Sequence, residues 1–161
     1  MANNFKEFSI RPANNNDISN IKKIVFSCLL EFGLKGDVGG KDSDLLDIEK
    51  NYFAGHGFFG LVEITESKTP VGTFGIHAVN NHTCELKKMY LIREYRGKGV
   101  GEFMLQFAIA ISRETGFTKM VLETISPLTA AIALYKKFGF MEIKPKEINN
   151  RVDQAFELNL K

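Results

Sequence analysis

The chain has 161 residues, 44% hydrophobic and 25% charged, with a formal net charge of +2. That is enough to bury a substantial core in one domain, expected over 1–161, and too little charge to argue for a nucleic-acid partner. No run approaches the ~20 apolar residues of a membrane helix, no signal-peptide pattern opens the chain, and Cys28 and Cys84 lie in separate apolar segments, as buried thiols of a reducing compartment do; the expected setting is cytoplasmic, without membrane contact.

In chain order, Phe8 and Ile10 predict a first strand, ended by Pro12. Asn16 or Asp17 can cap a helix, and Ile18, Ile21, Val25, Cys28, Leu29 and Phe32 recur at helical spacing. Four glycines between Gly33 and Gly40 break it. Ser43 or Asp44 opens a second short helix reaching Phe53. Phe58–Thr65, Val71–Val79 and Thr83–Ile92 are rich in β-branched and aromatic residues and are separated by turn signals. They predict a three-stranded antiparallel meander. Val100, Phe103, Met104, Phe107, Ala108 and Ile111 then mark one face of a long helix that Gly116 stops. Lys119–Ile125 predicts a strand, Ser126-Pro127 opens a further helix ended by Gly139, and Phe140–Lys144 and Ala155–Leu160 predict two last strands. The order β-α-α-β-β-β-α-β-α-β-β argues an α+β domain around a mixed sheet.

Arg96-Gly97-Lys98-Gly99-Val100-Gly101 lies where the third meander strand meets the long helix. Glycines leave room for the backbone to approach a ligand, and the free N–H groups and dipole of a helix start favour an anion. Arg96 and Lys98 add charge. The alternative is a plain surface turn. Glu102 occupies the third-glycine position of a dinucleotide fingerprint, and no G-x-x-x-x-G-K-[ST] run exists, so neither of those nucleotide sites is present.

The stretch Glu85 to Gly101 resembles the signature of the GNAT N-acetyltransferase superfamily, whose [Q/R]-x-x-G-x-[G/A] core is matched by Arg96, Gly99 and Gly101. Leu134-Tyr135-Lys136-Lys137-Phe138-Gly139-Phe140 resembles the second hallmark of that family, L-Y-x-x-x-G-F. Ile10-Arg11-Pro12-Ala13 with Asp17 and Ile18 is similar to its usual opening. The resemblance implies a mixed, mostly antiparallel central sheet of six to seven strands flanked by about four helices. It implies acetyl-CoA as acyl donor, with no metal, and an amine acceptor: a small molecule, amino acid or peptide. It also implies that Arg96, Gly97, Lys98, Gly99, Val100 and Gly101 hold the pyrophosphate of the coenzyme, while backbone groups of Met89 and Leu91 pair with its pantetheine arm. An N–H near Met89 would face the developing oxyanion.

The same resemblance implies Glu85 as general base and Tyr135 as general acid in direct attack within a ternary complex. On simple alternation Glu85 shares a face with Met89 and Leu91, a phase that a strand bulge would upset. Its alternative is a solvent-facing residue paired with Lys87 or Lys119; that of Tyr135 is a core aromatic. Ser126 or Thr129 stands where many relatives carry an asparagine that contacts coenzyme, and Arg93 where many carry proline. The acidic run Asp37, Asp42, Asp44 and Asp47 is read as a solvated helix start. Tyr52, Phe53, Phe58 and Phe59 are read as core or dimer packing. His56, His77 and His82 have no metal-ligand spacing. A homodimer is compatible with all of this. The second reading is a catalytically silent acyl-CoA-binding sensor or partner domain, and a third, binding of nucleic acid or protein through Lys87, Lys88, Arg93, Arg96 and Lys98, is opposed by the small net charge.

Overall fold

The computed structural model describes residues 6–161. Seven strands form one sheet in the order β1-β2-β3-β4-β5-β7-β6: β1 (Phe8–Pro12), β2 (Phe58–Ile64), β3 (Pro70–Ala78), β4 (Thr83–Leu91), β5 (Lys119–Thr124), β6 (Met141–Ile143) and β7 (Gln154–Asn159). Every neighbouring pair is antiparallel except β4 and β5, so the sheet is mixed and mostly antiparallel as expected. Four helices flank it: α1 (Ile18–Leu30), α2 (Ile48–Asn51), α3 (Val100–Thr115) and α4 (Thr129–Lys137). Among the described residues no helix is long and apolar enough to cross a membrane.

The sheet has a core on each face. Cys84, Leu86, Met120, Leu122 and Phe156 pack against Val100, Met104, Leu105 and Ala108 of α3 and against Tyr135 of α4. On the other face Phe59 and Leu61 meet Ile21, Val25 and Leu29 of α1, together with Leu45, Ile48 and Tyr52. Burial of each such side chain contributes roughly 1.5–3 kcal/mol, so α3 and α1 are fixed by packing and not by propensity alone. Tyr52 and Phe59 are fully buried, the core role read from the aromatic run.

Two local expectations are revised. The single helix expected from Ser43 to Phe53 is three short pieces: a 3-10 turn at Ser43–Leu46, α2, and a 3-10 turn at Phe53–Gly55. Asp47 breaks it, because its backbone is extended and its carboxylate caps α2 by accepting from the Lys50 N–H. Before α1, the cap is Asn14, whose side chain and that of Asp17 form a reciprocal capping box around a 3-10 turn. Asp17 then accepts a bidentate bond from Arg11 (2.7 and 2.9 Å), which ties β1 to this turn.

Candidate active site

The strands β4 and β5 set the site. Their parallel ladder runs only from Thr83–Glu85 to Lys119–Val121. From Leu86 onward β4 has no partner on that side, and a cleft opens between the two strands. Leu86, Met89, Thr124, Leu128 and Tyr135 line it, and Arg151 stands at its far end.

The start of α3 follows the unpaired end of β4 and lies beside α4, where Gly101 faces Leu134. Gly97 and Gly99 have φ of +75° and +84°, in the left-handed region that favours glycine. With these two turns, the N–H groups of Gly97, Lys98, Gly99, Val100 and Gly101 find no acceptor among the described residues. Five successive free donors, three before a sixteen-residue helix and two in its first turn, form a nest suited to an anion. Val100 itself is fully buried and anchors the helix start in the core. Lys98 extends past the Tyr95 ring, 5.6 Å from its centroid. Glu102, in the first turn, is bridged by Lys137 at 3.0 Å, which offsets its negative charge.

Arg96 is placed differently from its expected role. Its N–H donates to the Arg93 carbonyl. Its guanidinium donates to the Leu91 carbonyl (2.8 Å) and to both Glu31 oxygens (3.1 and 2.6 Å), and reaches the Cys28 Sγ at 3.6 Å. Arg96 therefore staples the glycine loop to the end of α1, and its charge is spent on Glu31. The Leu91 carbonyl is occupied by the same staple.

Midway along β4 the alternation breaks. The register with β3 jumps between Thr73 and Gly75, so that neither Lys88 nor Met89 has a paired residue, and Lys88 has φ of +54°. This is a β-bulge. It resets the phase: Met89 and Leu91 pack toward the α3 core, while Tyr90 packs toward the α1 side. Glu85 stands two residues ahead of Lys87, before the bulge. Its neighbour across the ladder is His77, whose ring meets the Tyr52 ring at 6.1 Å. Glu85 thus faces the Tyr52 side and not the face of Met89 and Leu91, the phase given by uninterrupted alternation. Lys119, one of its suggested partners, pairs with Glu157 at 3.7 Å.

A carboxylate that sequence reasoning passed over lies beside it. Glu123 of β5 lines the cleft. Partial desolvation of this otherwise exposed residue raises its carboxyl, and the nearby charge of Glu85 raises it further. The signal was available: Met120 and Leu122 are inward-facing on β5, which puts Val121 and Glu123 on the opposite face.

Tyr135 is buried, with its ring against Phe140 (5.6 Å) and Phe156 (6.3 Å). Burial, and then the neighbouring Tyr90, push its hydroxyl far above the ordinary tyrosine value. Its hydroxyl is therefore neutral, and the residue lines the cleft wall. Ser126 is taken by Asp153, which accepts from both its N–H and its hydroxyl at 2.8 Å. Thr129 is exposed at the start of α4.

Of the acidic run, Asp37 is exposed and Asp47 caps α2, but Asp42 and Asp44 are not part of a solvated helix start. Asp42 is fully buried, holding Arg151 through two bonds (2.7 and 2.8 Å) and Lys88 at 3.1 Å. These partners hold its carboxyl down at about 2, against the opposing effect of burial. Asp44 approaches Lys88 at 3.3 Å and accepts from the Tyr52 hydroxyl. The loop folds inward because the β4 bulge and the loop before β7 offer cations at its end.

A family model described as the acetyltransferase (GNAT) family matches residues 30–140. The chain belongs to this family. An uncharacterized N-acetyltransferase of Schizosaccharomyces pombe is 32% identical over 130 residues, covering 80% of this chain and 79% of that protein. Among solved structures, an acetyltransferase of the GNAT family from Staphylococcus aureus Mu50 is 28% identical, with a TM-score of 0.84 over 96% of this chain and 99% of that one. The fold is also that of yncA from Salmonella typhimurium, solved with its cofactor acetyl-CoA (TM-score 0.75, 20% identity, 96% and 95% covered). The GNAT matches take in the glycine loop, the parted strands and the α4 hallmark together.

Proposed function

We propose that this protein transfers an acetyl group from acetyl-CoA to the primary amine of a small molecule, amino acid or peptide. The observation that carries the reading is the run of free N–H donors from Gly97 to Gly101, which opens the helix that follows the unpaired end of β4. A pyrophosphate fits the donors, and an extended thioester arm fits the cleft, whose β4 wall lacks a ladder partner. Gly97 to Gly101 and Lys98 would hold the diphosphate, and Met89 would face the arm.

Acetyl-CoA supplies the activated acetyl thioester. The amine nitrogen attacks the carbonyl carbon, the C–N bond forms and the C–S bond breaks. The proton lost by nitrogen passes to the carboxylate pair of Glu85 and Glu123, which releases it to solvent. Glu123 stands on the cleft wall, and the charge of Glu85 makes it a better base. Tyr135 donates a proton to the departing sulfur and regains one from solvent, giving an amide and the free coenzyme thiol. Neither cysteine competes as a covalent carrier: Cys28 and Cys84 are buried, and burial pushes both thiols up, Cys84 to about 11.

The test is coenzyme-thiol release from acetyl-CoA across amino acids, polyamines, aminoglycosides and short peptides. Release that depends on one acceptor class establishes the activity. Tight acetyl-CoA binding with no release above hydrolysis for any amine overturns the enzyme reading and leaves a coenzyme-binding sensor.

A further inference from the structure

Lys88 adopts a left-handed backbone (φ +54°) in mid-strand, where a residue with a Cβ is strained. Such a conformation persists only where the surroundings impose it, and here they do so twice. The fully buried Thr73 hydroxyl donates to the Lys88 carbonyl at 2.7 Å. The Lys88 ammonium, with only 8% of its side chain exposed, is held by Asp42 (3.1 Å), Asp44 (3.3 Å) and the Lys41 carbonyl (3.3 Å).

The partners are themselves fixed from elsewhere. Asp42 accepts from the Asp37 N–H (2.7 Å) and from Arg151, and Arg151 also donates to the Lys35 carbonyl at 2.6 Å. Asp44 receives the hydroxyl of the buried Tyr52. Three segments remote in sequence, the 35–44 loop, β4 and the loop before β7, thus converge on one bulge residue. Two carboxylates and two cations cancel in charge. Burying them gains little stability, because desolvation offsets their attraction. What such networks are best known to secure is register, and the register at stake is that of the bulge.

We propose that Lys88, locked by Asp42, Asp44 and Thr73, is a positioning residue that holds the β4 bulge so that the Met89 N–H is aimed at the acyl carbonyl in the cleft. This rests on the acetyl-CoA reading above. Lys88 borders the cleft, but its ammonium is taken by Asp42 and Asp44, so it acts through the Met89 backbone. Leu86 and Met89 line the cleft on either side of the bulge, so a slip of one residue would replace Met89 with a differently oriented peptide.

Isotope-edited infrared spectroscopy of [1-13C]acetyl-CoA bound to the protein reads this directly and needs no acceptor. In the wild-type protein the bound thioester carbonyl band lies below that of free acetyl-CoA. In Lys88→Met it returns toward the free position while acetyl-CoA affinity stays within about threefold, since the Gly97 to Gly101 donors are untouched. With any active acceptor, kcat falls by roughly tenfold or more with little change in KM for acetyl-CoA, the signature of a misaimed group. Thr73→Val loosens the same bulge from its other anchor with almost no change of shape, and gives the same band shift where Lys88→Met fails to fold. A wild-type band without a shift, or a shifted band that both variants retain, overturns the inference. Absence of any bound acetyl-CoA overturns the coenzyme reading itself.

Discussion

At the residue scale, Tyr135 separates packing from chemistry most cleanly. Its ring is wedged between Phe140 and Phe156, and its hydroxyl is held protonated by burial. Tyr135→Phe keeps the ring contacts and removes only the proton donor. The expected outcome is a fall in kcat of about 100-fold, with acetyl-CoA affinity and melting temperature nearly unchanged. Steady-state kinetics beside calorimetric titration checks this, and an unchanged kcat would move the proton to another group. The place of Tyr135 on α4 was legible in the sequence because the L-Y-x-x-x-G-F run locates it within a helix of simple periodicity. The face of the proposed base was less legible. The face of Glu85 depends on whether β4 runs without interruption, and the bulge at Lys88 has no glycine or proline to announce it. Asp42 was misread for a related reason: its partners, Lys88 and Arg151, are 46 and 109 residues away in sequence, and local patterning says nothing of such pairs.

At the element scale, the meander and the positions of α1, α3 and α4 followed from periodicity, whereas the order in which β5, β7 and β6 join the sheet, the break at Asp47 and the contacts of Arg96 did not. Arg96 sits at the head of a family motif and so invites assignment to the ligand. In the structure it fastens the loop to Glu31 of α1, so the proposed anion site is left to the backbone. That division predicts which substitutions matter. Gly99 is left-handed, so Gly99→Ala should destabilise the fold by about 1 kcal/mol and displace neighbouring donors. Loss of one hydrogen bond to a charged phosphate weakens acetyl-CoA binding by roughly tenfold or more. Gly116, at the far end of α3, also has positive φ (+104°), and a Cβ there meets nothing within 4 Å. Gly116→Ala should share the stability loss and leave coenzyme affinity intact. Thermal melts with binding isotherms for the two variants distinguish the cradle from backbone strain in general; equal loss of affinity in both would remove the cradle from coenzyme binding.

At the scale of the whole molecule, the sheet is divided by its own topology. β1 to β4 and β5 to β7 are joined by only three parallel ladder positions, Thr83 to Glu85 with Lys119 to Val121. Beyond these, the halves are held by α3 and the core beneath it, and by the Arg151–Asp42 pair that ties the loop before β7 to the loop after α1. The cleft between them is a place where the folded state lacks contacts. A ligand that spans it from the Gly97 to Gly101 donors to Tyr135 therefore touches both halves, and binds the folded chain while the unfolded chain has no assembled site. Linkage then requires stabilisation that grows with concentration, about 2.7 kcal/mol at a hundred times Kd. For a chain of this length that raises the melting temperature by roughly 5–10 °C. Free coenzyme A, which keeps the diphosphate and the pantetheine arm, should give most of that rise. Adenosine 3′,5′-bisphosphate, which has neither the diphosphate nor the arm, should give little. Melting curves over a concentration series of all three ligands test the span. A shift as large with the bisphosphate as with the coenzyme would place the binding energy outside the cleft, and no shift with any of them would remove coenzyme from the function of this fold.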